Sequence, residues 1–271
     1  MTLRGFLFTL FFTGLLFSLS AHEATAGAKM MPHRAYYSAA IGDVKQTSRV
    51  VDVQGAIVME AVESCEGWQT TEGTRLLLSN SQGGESVVDV RFLGWESKNG
   101  LVFRFNYTHH NDGSVQENML GEAKIRSKGA AGEATFSRPP VVPLALPEKI
   151  VFPTEYILKL IERADAGEFL FSQVVFDGTK MGGAYEINAV IGRPYAFPAG
   201  RKAGLERLAG ERGWPVRLAY FPIGSSEPEP EFEIGVRLLR SGIAESMVFD
   251  YGDFTITSRL ERVEWLAAPK C

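Results

Sequence analysis

The stretch "ESVVDVRFLGWESKNGLVFRFNY", residues 85–107, holds two runs of β-branched and aromatic residues on either side of Asn99-Gly100. This pair accepts the positive φ angles of a type I′ turn, so the stretch predicts a β-hairpin closed by a loop of two residues. A loop of that length would pair Phe92 with Tyr107, and side chains alternate between the two faces of each strand. One face of the predicted hairpin is therefore aromatic.

The predicted aromatic face has two interpretations. It can be an ordinary β core against a solvated back, or a concave apolar lining that binds a hydrophobic guest. The residues on this face, which are the candidate ligand-binding residues, are Phe92, Leu101, Phe103, Phe105 and Tyr107. The residues on the opposite face are Arg91, Leu93, Trp95 and Arg104.

Similar strand signals recur along the rest of the chain, separated by Gly, Asn, Asp and Pro. A cadence of about twelve such strands is typical of an antiparallel sandwich, barrel or wrapped sheet. No composition shift marks a boundary between separate units. The sequence therefore predicts an all-β fold and a single β domain over residues 27–271.

One helical pattern interrupts the strands at residues 152–167. Pro153 precedes a possible cap at Thr154, apolar residues recur at helical spacing, and Gly167 is placed to end the helix. A helix with one apolar face must bury it, most simply against the open face or mouth of the sheet. We therefore expect one inserted helix that plugs or covers the sheet.

A second irregular region, residues 192–213, is rich in Gly and Arg. Loops of this length in compact domains are usually functional or disordered. A mobile flap is one interpretation and a disordered loop is the other. The residue types in the region do not decide between them.

The N-terminus carries one early positive charge, Arg4, and then an uncharged run from Gly5 to Leu19. This run is shorter than the ~20 residues that a membrane-spanning helix needs, and Ala24-Thr25-Ala26 offers the small-x-small pattern of a cleavage site. The sequence predicts a signal peptide over residues 1–26, with a cut near Ala21 as the alternative. We therefore expect an exported and soluble mature protein.

The chain has two cysteines, Cys65 and Cys271, which are 206 positions apart. Two cysteines in an exported chain of this size are most often bonded to each other. A catalytic role for Cys65 needs an unpaired sulfur and an activating neighbour such as His. The interpretation we favour is a disulfide that holds the last strand of a wrapped sheet, which would otherwise be an open edge.

The sequence carries no motif of a known catalytic or cofactor site, such as G-x-S-x-G, H-E-x-x-H, G-x-x-x-x-G-K-[ST] or C-x-x-C. The adjacent His109 and His110 point to opposite faces of a strand, so they do not converge on one metal. Asp250 and Asp253 could form a hydrolytic pair, although acids that flank a glycine are usually turn formers. We predict no enzyme activity, no cofactor and no metal. Since the net charge is −4 and no basic block is present, nucleic acid is not expected as a partner.

Several segments, taken in order, resemble the EipB-type cell-envelope integrity family of alphaproteobacterial periplasmic proteins. They are "PHRAYY" (32–37), "CEGW" (65–68), "GWESKNGLVFRF" (94–105), "FPTEYILKLI" (152–161), "VVFDG" (174–178), "WPVRLAYF" (214–221), "DYGDF" (250–254) and the terminal Cys271. The resemblance implies a β-spiral, or half-open barrel, of 12–14 antiparallel strands with one inserted helix and a Cys65–Cys271 disulfide. Such a fold is similar to the carriers that move lipoproteins to the outer membrane. The family has no established reaction.

Three hypotheses about function follow from these observations. The first is a non-catalytic periplasmic protein that supports envelope integrity by binding a lipid, lipoprotein or cell-wall component in the aromatic face. The second is a structural adaptor that contacts other periplasmic proteins through its outer surface. The third, and weakest, is a peptidoglycan hydrolase that uses Asp250 and Asp253.

Overall fold

The computed structural model describes residues 30–199 and 204–271, so the predicted signal peptide over residues 1–26 lies outside the described residues. Within the described ranges the chain forms fifteen strands, one α-helix and one short 3₁₀ helix at Glu206–Leu208. The first eight strands are β1 (His33–Val44), β2 (Val50–Glu63), β3 (Gly67–Asn80), β4 (Glu85–Ser97), β5 (Val102–Asn111), β6 (Ser114–Ile125), β7 (Gly132–Arg138) and β8 (Leu144–Leu146). After the helix α1 (Pro153–Asp165) come β9 (Leu170–Val175), β10 (Tyr185–Ile191), β11 (Tyr195–Ala196), β12 (Arg212–Pro222), β13 (Phe232–Leu239), β14 (Ala244–Asp250) and β15 (Phe254–Trp265).

The strands form one continuous antiparallel sheet, in the order β8-β7-β6-β5-β4-β3-β2-β1-β15-β14-β13-β12-β10-β9, with β11 paired to β12. The first and last strands of the chain are neighbours in the middle of this order, because β1 pairs with both β2 and β15. Strands β8 and β9 are the two ends, so the sheet is wrapped but not closed. The predicted all-β, half-open sheet with one inserted helix is confirmed.

The hairpin of residues 85–107 has the predicted register, since Phe92 pairs with Tyr107. The predicted type I′ turn is wrong, because only Gly100 of the Asn-Gly pair has a positive φ, at 62°. The loop spans residues 98–101. The hydroxyl of Ser97 accepts hydrogen bonds from two backbone N–H groups at its far end, at 3.2 and 3.0 Å. This side-chain cap stabilises a longer loop without changing the strand register.

Helix α1 begins at Pro153 and ends before Gly167, whose φ is 79°. Leu160 and Ile161 of its apolar stripe are fully buried against residues of β9, β10, β12 and β13. The helix therefore lies inside the wrap of the sheet, as expected from its one apolar face. The predicted cap at Thr154 is wrong, because Phe152 is the N-cap residue and caps with no side-chain hydrogen bond.

The described parts of the region 192–213 are anchored to the body of the protein. Phe197, Leu205 and Leu208 are at most 3% exposed and pack with apolar residues of β1, β2 and β15. Buried apolar anchors therefore lie on both sides of residues 200–203. The segment covers the interior near the start of β12, where β11 pairs with that strand.

Candidate ligand-binding cavity

A cavity of about 560 Å³ lies in the concave interior of the sheet. Its walls are the inward-facing side chains of β2 to β6, β10 and β12 to β15, together with the start of α1 and the loop after β9. Its β3 and β4 residues pair near the middle of the two strands, Glu72 with Phe92, Thr74 with Val90 and Leu76 with Val88. A volume of this size is within the usual range for small-molecule sites.

Two of the predicted ligand-binding residues are packed into the core beside this cavity. Phe103 and Phe105 are 1% and 2% exposed. Phe103 stacks on Phe152 with ring centroids 5.3 Å apart, and Phe105 meets the edge of Phe176 at 5.6 Å. Phe152, the residue before the helix, covers Phe103, and Phe176, in the loop after β9, covers Phe105. The two covered rings therefore stabilise the fold.

The other three predicted residues lie at the border of the aromatic cluster. Phe92 and Tyr107, which face each other across β4 and β5, line the cavity. Leu101 is half-buried at the opposite end of β5 and packs on the same cluster. The aromatic face of the hairpin therefore belongs to the core at one end and lines the cavity at the other.

Two carboxylates that sequence reasoning missed face the cavity, Glu72 from β3 and Asp177 from the loop after β9. The hydroxyl of Thr74 donates to Glu72 at 2.9 Å, and Thr179 donates to Asp177 through its N–H at 2.9 Å and its hydroxyl at 2.8 Å. Burial raises the pKa of both carboxyl groups. The sequence signal for Glu72 was alternation along β3, which puts it on the same face as Thr74 and Leu76.

At the mouth of the cavity, Lys180 forms an ion pair with Glu231, at 2.7 and 2.6 Å to the two carboxylate oxygens. The hydroxyl of Tyr185 donates to the same carboxylate at 3.4 Å. Burial is the largest cause that raises the pKa of Tyr107, and the negative charges of Glu117, Glu72 and Asp177 raise it further. The negative charges of three cavity carboxylates therefore all act on the hydroxyl group of Tyr107.

A third carboxylate, Glu96 at the end of β4, fixes the start of helix α1. It is 4% exposed and accepts hydrogen bonds from the backbone N–H groups of Thr154 at 2.7 Å and Glu155 at 3.0 Å. A carboxylate at a helix N-terminus satisfies two free N–H groups and interacts favourably with the helix dipole. Because Pro153 of this turn lines the cavity, Glu96 positions part of the cavity wall. The partners are 58 positions apart, so no local sequence pattern could identify them.

The pKa of Glu96 predicts a pH-dependent stability. Burial raises this pKa from 4.5 to about 7, while the two N–H hydrogen bonds oppose the shift. Between these pH values the native state binds more protons than the unfolded state, so the free energy of unfolding falls as pH rises. The Glu96→Gln variant lacks this titration. The free energy of unfolding of wild type, measured relative to that of Glu96→Gln, should therefore fall by roughly 3 kcal/mol between about pH 5 and pH 8.

Urea unfolding of both proteins at several pH values measures this difference. Comparison at each pH cancels the other buried groups, including His33, whose pKa burial lowers and whose effect on stability has the opposite sign. A difference between wild type and variant that is constant across the range would contradict the assignment.

The sulfur atoms of Cys65 and Cys271 are bonded, with their Cα atoms 5.6 Å apart. The disulfide joins the β2–β3 turn to the chain end beyond β15. The expectation that it holds an open edge is wrong, because β15 pairs with β1 on one side and β14 on the other. The disulfide instead spans the seam between β1 and β15, where the first and last thirds of the chain meet.

Asp250 and His109, which were also considered from the sequence, do not line the cavity themselves. The carboxylate of Asp250 accepts the N–H of Gly252 at 2.9 Å, which is the contact of a turn former. His109 contacts Glu117 at 3.8 Å. Within residues 30–199 and 204–271, His, Cys, Asp and Glu side chains form no group suited to a metal ion. In the same ranges, no helix has the length and apolar character needed to cross a bilayer.

The wrapped sheet, inserted helix and interior cavity define a barrel-like β protein with a chamber of small-molecule size. Residues 24–267 match the model of the EipB-like family. The chain belongs to the EipB-like family, and the resemblance found in its sequence motifs is confirmed.

The chain is similar to a curated relative and to a solved structure. The cell envelope integrity protein EipB of Brucella abortus (strain 2308) is 26% identical over 247 residues, which cover 90% of this chain and 87% of the relative. A crystal structure of a beta-barrel-like protein of domain of unknown function DUF1849, also from Brucella abortus, aligns with a TM-score of 0.81 and 26% identity. That alignment covers 89% of this chain and the whole of the other.

Proposed function

We propose that this protein supports cell-envelope integrity in the periplasm by holding a guest molecule inside its wrapped sheet. The observation that carries the proposal is the cavity of about 560 Å³. Its walls come from strands on both sides of the β1–β15 seam, so only the complete fold builds it. The name of the Brucella relative, a cell envelope integrity protein, supports the envelope role.

The arrangement of the walls favours binding over a purely structural role for the interior. The cores of native domains are close-packed, with few voids larger than a water molecule. Here the helix and the aromatic cluster fill other parts of the interior, while Val90, Ile234 and Ile256 face unfilled space. Apolar walls with a few placed polar groups are the usual composition of a ligand site.

Native mass spectrometry of protein purified from its own periplasm tests the proposal. We expect an additional mass that disappears on denaturation. The Val90→Phe variant, which fills the cavity from β4, should lose this mass and fail to restore resistance to envelope stress in a deletion strain. Val190→Phe is the matched control, because Val190 is 55% exposed on β10. A protein that is always empty, and that binds no acyl probe, would contradict the proposal.

The adaptor hypothesis predicts a different pattern in the same cells. Val90→Phe would then restore resistance fully, whereas Arg91→Ala or Arg104→Ala on the outer face would not. That outcome would move the function from the interior of the sheet to its outer surface.

A further inference from the structure

The charge of the cavity limits what kind of guest it can hold. Its lining contains four carboxylates but only one cationic side chain, Lys180. Lys180 is already paired with Glu231 through both carboxylate oxygens. The four lining carboxylates are Glu72, Glu117, Asp177 and Glu231.

Glu72 and Asp177 line the interior of the wrapped sheet without a cationic partner among the described residues. Their hydrogen bonds come from threonine side chains and the backbone, which are neutral donors. Among the described residues, no Lys, Arg or His forms an ion pair with either of them or stabilises the charged form of either carboxyl group. Both side chains are partly buried. Removing a carboxylate from water without a counter-charge is costly, and an incoming cation would remove part of that cost.

The aromatic side chains of the cavity suit the same kind of group. Tyr220 and Phe232 stack with ring centroids 4.2 Å apart, and Tyr185 meets both rings edge-on at 5.7 Å. With Phe92 and Tyr107 on the facing strands, aromatic groups approach the cavity from both sides. The faces of aromatic rings attract ammonium groups, most strongly where water is excluded.

The remaining wall is apolar. Its aliphatic members come from β2, β3, β4, β13 and β15 and form a surface that would contact a hydrocarbon chain rather than a charged group. They are Ile57, Leu76, Val88, Val90, Ile234 and Ile256.

We propose that the cavity binds a cationic amphiphile, with an ammonium headgroup near Glu72 and Asp177 and an apolar tail against the aliphatic wall. This inference rests on the proposed function, because it names the chemical class of the guest. A fatty acid or another anionic amphiphile is disfavoured, since its headgroup would face carboxylates that already lack a counter-charge. The cavity therefore selects by the sign of the headgroup.

Isothermal titration calorimetry with three probes that share a dodecyl chain tests the inference near neutral pH, below the micelle concentration of each probe. Dodecyltrimethylammonium should bind at least about tenfold more tightly than dodecanoate, with uncharged dodecanol between them. Glu72→Gln and Asp177→Asn should each weaken binding of the ammonium probe by about tenfold and narrow its advantage over dodecanoate. Glu133→Gln, an exposed change on β7, should leave both affinities unchanged.

Both cavity variants should fold, because a neutral amide at either position leaves no orphaned cation; thermal melting checks this directly. Equal or tighter binding of dodecanoate would overturn the inference, and so would wild-type ammonium affinity in both cavity variants. In either case the proposed function would stand with a guest of a different charge. If none of the three probes binds and the periplasmic protein is empty, the proposed function fails as well.

Discussion

Loss of the Cys65–Cys271 disulfide should lower the free energy of unfolding by about 5 kcal/mol, which corresponds to roughly 10–20 °C in melting temperature for a chain of this size. The bond closes a loop of 206 residues. In the chain-entropy model, its main effect is to restrict the unfolded chain, and the effect grows with loop length. The folded state should change little, because β15 keeps its hydrogen bonds to β1 and β14.

Thermal and urea unfolding of wild type, Cys65→Ser and Cys271→Ser measure this effect. The two single variants should be destabilised equally, and wild type in reductant should match them. The variant that carries both Cys65→Ser and Cys271→Ser serves as the control, and reductant should not change its stability. Equal stability of oxidised and reduced wild type would refute the prediction.

The Glu96→Ala variant should lose about 3 kcal/mol of stability, because two N–H groups at the start of α1 would be left without an acceptor in a buried site. The variant should lose protection of the start of α1 as well as global stability. We expect faster amide hydrogen exchange at Thr154 and Glu155, and a rearranged cavity wall at Pro153. Urea unfolding near pH 7 and exchange measured by NMR provide both readouts.

Two variants separate this effect from the loss of a charge on β4. Glu96→Gln keeps one acceptor oxygen and should lose less stability than Glu96→Ala. Glu85→Ala removes an exposed carboxylate from the other end of the same strand and should stay close to wild type. An unchanged midpoint for Glu96→Ala would show that the contacts to the helix N-terminus contribute nothing to stability.

The sequence predictions were correct where residue types and their period decide the structure, and wrong where one particular side-chain hydrogen bond decides it. The register of the hairpin was predictable because alternation and a short loop act over a few residues. The type I′ turn was wrong because the Ser97 hydroxyl, a neighbouring side chain, determined the loop geometry. The buried face of α1 was predictable from its period, whereas its cap was not, since the capping carboxylate comes from another part of the chain.

The aromatic face shows where prediction of the site reached its limit. Sequence placed Phe103 and Tyr107 on one face of β5, which is correct. It could not show that Phe152 would cover Phe103 while Tyr107 remained at a cavity. Covering depends on how the segment before α1 crosses the sheet, and no local pattern encodes that path.

By itself, the sequence determined the all-β class, the hairpin register and the presence of one amphipathic helix, because these depend on residue types and periods within short windows. It also supplied the cysteine pair, whose only partners are each other. Only the tertiary structure decided that β1 and β15 meet, that Glu96 caps α1, and that Glu72 and Asp177 face one cavity. These contacts join residues that are distant in the chain, so they exist only when the sheet has wrapped and side chains from separate strands share one buried space.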